Sequence, residues 1–116
     1  MSTNTTETPV LNLLAGMNVM SIETAAASLD PETLLLVRMA ALVAVDAPSV
    51  SYLMHIGAAA DLDIDATKIQ GVLAAVAPIV GAPHVASATT KIVEALAVEI
   101  EIAELDADAT AAGDSV

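Results

Sequence analysis

Cysteine, phenylalanine and tryptophan are absent from this chain, and Tyr52 is its only aromatic residue. Each absence excludes something. Without thiols there is no disulfide, no thiolate metal ligand and no cysteine nucleophile. With so few aromatics, a β-sandwich or barrel is disfavoured. Basic residues are scarce too. Arg38, Lys68 and Lys91 stand against fifteen acids, for a net charge of −12. Three cations cannot form the basic stripe that displaces counterions from nucleic acid. An anionic membrane surface would repel this chain. Neither nucleic acid nor membrane is therefore an expected partner.

Long apolar runs are interrupted. Residues 69–90 carry no formal charge, but Gly71, Pro78, Gly81 and Pro83 break them, and His84, Ser87, Thr89 and Thr90 are polar. A membrane span needs ~20 predominantly apolar residues, so none is expected. Residues 1–8 are polar and lack the basic and apolar regions of a signal peptide. With no disulfide framework, the expected location is cytoplasmic.

What is present is small aliphatic residues. The chain is 56% hydrophobic, with a mean hydropathy of +0.74 over 116 residues. One domain of this length buries only about two-thirds of its unfolded surface, so there is more apolar material than one core needs. Subunit interfaces, which can be as apolar as a core, are the simplest place for the excess. Ala and Leu are good helix formers. The fold class expected is all-α: a polar disordered arm over 1–8, one helical domain over 9–105 and an acidic tail over 106–116.

Within that domain, 9–27 reads as one or two short helices with breaks at Gly16 and Asn18. Asp30-Pro31-Glu32 is a start signal, because Asp30 can cap free amides and Pro31 suits the first helical position. The helix runs to about Asp46. From Leu34 to Val45 it is apolar except at Arg38, the pattern of a helix buried on all sides. In so short a chain, part of that cover is expected from other subunits. Pro48 or Ser49 opens the next helix, ending near Asp61. Asp65 caps another through about Val80, with Gly71 and Pro78 as weak points. Pro83 starts the last helix, to about Leu105, with Ile92, Leu96 and Ile100 as its apolar stripe, flanked by Val93 and Ala97.

Several site motifs fail on inspection. Asp61-Leu62-Asp63-Ile64-Asp65 resembles the opening of an EF-hand loop, but Ala66 and Val72 stand where that loop needs glycine and glutamate. His55 and His84 form no metal-ligand pair. There is no nucleophile elbow, Walker loop or dinucleotide fingerprint. No cofactor or metal is expected.

His55 is the candidate catalytic residue, as a general acid or base. Ser51 lies one turn before it, with Tyr52 within reach. The alternative is a partly buried histidine bonded to a neighbour. Arg38 has Leu34, Leu35, Ala41 and Leu42 as its helical neighbours, so its helix face offers no carboxylate. It reads either as half of an inter-helix or inter-subunit ion pair or as a group that binds an acidic ligand. Ser51, Tyr52 and His84 complete the candidate substrate-binding set. Tyr52 and Met54 also read as packing residues, and His84 as a neutral polar residue at an interface.

A helix opened by Leu29-Asp30-Pro31-Glu32 is followed by the run Ala41-Leu42-Val43-Ala44, then by His55 and Ala59. Next come an Asp65-capped helix containing Ile69 and Val72-Leu73, and the turn Gly81-Ala82-Pro83. In this order and spacing, residues 29–90 resemble the carboxymuconolactone decarboxylase family, which includes the AhpD-like alkylhydroperoxidases. The resemblance is closer to the decarboxylase branch. It implies an AhpD-like helical bundle assembling into a trimer or hexamer, with sites in clefts near subunit contacts. The peroxidase branch uses C-x-x-C-x-x-x-H with an upstream glutamate. Aligned on His55, those positions hold Pro48, Ser51 and Leu36, so thiol peroxidase chemistry is excluded. Of the decarboxylase branch the histidine is kept, while most of its acidic company is not. Ser51-Tyr52-Leu53, Asp63, Asp65, Lys68 and Gly71 stand in those places.

Two hypotheses follow. One is a non-catalytic homotrimer or homohexamer, serving as a binding or structural protein. The other is a lyase or isomerase that uses His55 on a small acidic molecule, a carboxylate or a lactone.

Overall fold

The computed structural model describes residues 3–114, with side chains placed over 8–111. Those residues form five α-helices and no strand, so the all-α class is correct. The helices are α1 (Thr3–Ala26), α2 (Pro31–Ala44), α3 (Ser49–Asp61), α4 (Ala66–Val80) and α5 (Ala82–Asp114). The chain divides into two units, Met1–Leu34 and Leu35–Val116.

The first unit is dominated by α1. The helix starts at Thr3, inside the stretch read as a disordered arm, and runs through Pro9, Gly16 and Asn18 without a break. Residues 1–2 of that arm lie outside the described residues. A mid-helix glycine costs only about 1 kcal/mol against alanine, which the surrounding Leu, Met and Ala offset. Asp30 then accepts a 2.7 Å hydrogen bond from the Thr33 amide, capping α2 as expected.

In the second unit, α2 buries one stripe only: Leu35, Met39 and Val43, each four residues apart. Val37 is 53% exposed, and Val45, just past the helix, 72%, so its own chain covers the helix on one side only. α2 and α3 end alike. The Ala47 amide donates to the Leu42 carbonyl at 3.0 Å, and the Ile64 amide to the Ala59 carbonyl at 3.0 Å. Asp46 (φ 50°) and Asp63 (φ 57°) take the left-handed position that glycine usually fills. Asp65 caps α4 by accepting from the Thr67 amide at 3.1 Å. Gly81, at φ 88°, makes the turn into α5.

Tyr52, Met39, Ile56 and Val43 are the largest fully buried side chains, joined by Ile69 from α4 and Ala88, Ile92 and Ala95 from α5. Each large member contributes about 1.5–3 kcal/mol by leaving water. Of the expected α5 stripe, Ile92 is buried and Leu96 packs against the core, but Ile100 is 59% and the flanking Val93 60% exposed. Alanines stand where α5 lies closest to its neighbours. Beyond that region α5 continues to Asp114, into the stretch 106–116 expected to be a tail, and is exposed over 106–111; residues 115–116 of that stretch lie outside the described residues. No helix among the described residues is long and apolar enough to cross a membrane.

Candidate functional site

His55 sits in the middle of α3, half-buried, with Nδ1 2.7 Å from the Ser51 carbonyl oxygen. A carbonyl can only accept, so Nδ1 carries the proton when the ring is neutral. That leaves Nε2 as the basic atom. Ser51 is half-buried on the preceding turn. Tyr52 has no exposed surface and belongs to the core. Burial pushes its phenol up, and the nearby charge of Asp46 adds to this, so it stays protonated at neutral pH. Its hydroxyl is buried with no hydrogen-bond partner among the described residues. Arg38 is half-buried on α2 and His84 half-buried in the first turn of α5. Met54, read as a packing residue, is 68% exposed.

Between α3 and α5 lies a groove of about 190 Å³, walled by Val50, Leu53, Ala95 and Val98 and rimmed by Ser49, Lys91 and Glu94. None of His55, Arg38, Ser51, Tyr52 or His84 lines it. Its volume is below the roughly 300–1,000 Å³ of small-molecule pockets. No cluster of three or more His, Asp or Glu that could hold a metal ion occurs among the described residues.

The best-ordered polar constellation is one the sequence reading did not assemble. At the α2–α3 corner, Lys91 Nζ donates to Asp46 Oδ1 at 3.2 Å and to the Ala47 carbonyl at 2.7 Å. Ser87 Oγ donates to the same Asp46 oxygen at 2.7 Å. The Ser87 hydrogen bond, then that of Lys91, holds the Asp46 carboxyl below the ordinary aspartate value, and His84 adds a smaller pull. Ser87 and Lys91 are four residues apart on one face of α5, so the helix presents both to the corner. The ammonium also lies near the negative end of α2, where a cation is favoured. A hint was available. Lys91 is one of only three basic residues, and Asp46-Ala47-Pro48 marks a helix end. Further along, a methyl group added at Gly57 would meet Glu99 Oε1 at 3.0 Å. Glycine there admits the Glu99 side chain against α3.

These contacts join helices. His55 offers, at Nε2, an atom suited to moving a proton. No protein-family model, curated protein or solved structure matches the chain.

Proposed function

We propose that this chain is a carboxymuconolactone decarboxylase-like protein without thiol peroxidase chemistry, and that it works as a non-catalytic homo-oligomeric binding or structural protein. One observation carries the oligomer. Among the described residues, more large apolar side chains lie exposed than buried. Leu13, Met20, Met54, Ile79 and Leu105 are each at least 62% exposed. Exposed apolar surface in this amount supports association between copies. The family resemblance supports a bundle that closes as a trimer or hexamer. The groove between α3 and α5, smaller than a typical small-molecule pocket and lined by none of the candidate site residues, favours binding or structure over turnover. Light scattering coupled to size exclusion tests this, with a mass three or six times 11.7 kDa expected at micromolar concentration. A monodisperse 11.7 kDa species would overturn it.

A second reading rests on His55. Its Nδ1 is committed to the Ser51 carbonyl, which fixes Nε2 as a base. In that reading the protein is a lyase or isomerase acting on a small carboxylate or lactone. Screening such compounds for turnover that is lost in His55→Ala would establish it. Activity unchanged in His55→Ala would remove it.

A further inference from the structure

α1 buries none of its large apolar side chains. Val10, Leu11, Leu13, Leu14, Met17, Val19, Met20 and Ile22 are each 41–68% exposed. At 1.5 Å per residue, its 24 residues make a rod about 36 Å long. Apolar residues occur on every side of it, but they are densest along one seam. Val10, Leu13, Met17 and Met20 follow at alternating steps of three and four residues, with Leu14 beside them. That spacing keeps a stripe facing a partner helix. Thr24 continues the same register, so the seam turns polar after its apolar middle.

Charge decides what can cover it. From Thr8 to Ile22 the chain has no charged residue, although its net charge is −12. Two copies approaching through most other surfaces bring acids together. The C-terminal part of α5 is the clearest case. It exposes Val98, Ile100, Ile102 and Leu105, but Glu99, Glu101, Glu104, Asp106 and Asp108 are interleaved with them. Along α1 a strongly acidic molecule can meet its own copy over fifteen uncharged residues, Thr8 to Ile22, without that repulsion.

Area points the same way. The eight exposed side chains of α1 present on the order of 800 Å², the share that one partner gives to an interface of standard size. A single facing helix would cover the seam but leave Leu11, Val19 and Ile22 in water. A helix apolar all round needs cover on more than one side.

We infer that α1 is the self-association helix of this protein, packing against the α1 helices of at least two further copies. This rests on the oligomeric reading above and adds which element carries it. The seam is the interface, and the groove between α3 and α5 lies outside it.

The test uses the full chain. In Leu13→Glu/Met17→Glu, each copy brings buried carboxylates to the seam, and the mass by light scattering is expected to fall to 11.7 kDa. Ile100→Glu/Ile102→Glu on α5 is expected to keep the assembly. Because the chain has no cysteine, a single Met17→Cys gives a clean second measurement. Mild oxidation is expected to link it into disulfide dimers on a denaturing gel, while Ile79→Cys, at a position 83% exposed on α4, stays unlinked. An assembly that survives the α1 double substitution and is dissolved by the α5 one would overturn the inference and leave the oligomeric reading intact. So would failure of Met17→Cys to link within a stable oligomer. A wild-type chain that is already monomeric removes both.

Discussion

α3 buries Tyr52, Ile56 and Ala59 within its own chain, whereas every side chain of α1 from Thr8 to Thr24 lies exposed. The two helices are alike in composition. Both mix apolar with small polar residues, and both carry few charges. They differ in where their neighbours come from. α3 is clasped by α5, and the corner before it is pinned by Lys91 and Ser87. α1 keeps its large apolar side chains exposed. Apolar content therefore says that a helix will be covered, but not by which chain. The residues that decide this are the few polar ones. Asp46 and Lys91 commit the start of α3 to its own molecule, and the uncharged span of α1 leaves it open to copies.

The strongest way to sharpen the contrast is to empty the covered side. Ile56 is 1% exposed, and Ile56→Ala is expected to cost about 2–5 kcal/mol. The loss should be the same in dilute and concentrated protein, because the cavity lies within one chain. Denaturant titration at two concentrations measures it. A loss that disappears on dilution would mean that the α3 core, too, is shared between copies.

A smaller effect is expected at Tyr52. Its hydroxyl is buried without a partner among the described residues. A buried hydroxyl left unsatisfied is unfavourable, so Tyr52→Phe is expected to raise stability by about 1 kcal/mol. Thermal melts would show it. A clear drop in melting temperature would contradict the isolated hydroxyl and point to a partner supplied by the assembly.

The smallest effect is on acid stability. Asp46 is held below the ordinary aspartate value by Ser87 and Lys91, and Asp65 by the Thr67 amide. A carboxyl depressed on folding contributes stability that is fully present above its unfolded value, near 4. That stability is lost as pH falls through the lower folded value. Melts between pH 7 and pH 2 should therefore decline below about pH 4, less steeply in Asp46→Asn. The α1 seam has no titrating group from Thr8 to Ile22, so acid should leave its packing untouched. An assembly that dissociates before the core weakens would reverse the comparison.

The sequence was legible where the physics is local. Asp30 and Asp65 act through amides two or three residues away, and both caps were visible in the chain. The bounds of α3 and α4 followed for the same reason. Legibility failed where distance enters. Nothing local predicts that Lys91 will reach Asp46 across 45 residues. Nothing local separates the buried stripe of α2 from its exposed face, since Leu35 and Val37 are equally apolar. α1 and α5 outran their expected ends because polar and acidic residues were read as disorder, although Thr, Ala and Glu extend a helix that is already nucleated. At the candidate site, the carbonyl partner of His55 lay within reach of inspection, one turn back. So did the packing role of Tyr52, whereas Met54, read the same way, is 68% exposed.

The pin at the α2–α3 corner also has a consequence for the order in which the protein is made. Asp46 and Ala47 leave the ribosome well before Lys91, with α3 and α4 in between. During synthesis, α2 and α3 must therefore wait unfastened until the first turns of α5 emerge. The left-handed turn at Asp46 can be shaped from its own backbone bonds, but it is locked only by a residue from the last helix. α1, which precedes α2 and α3 and carries an uncharged, largely apolar middle, spends that interval attached to an unfinished bundle.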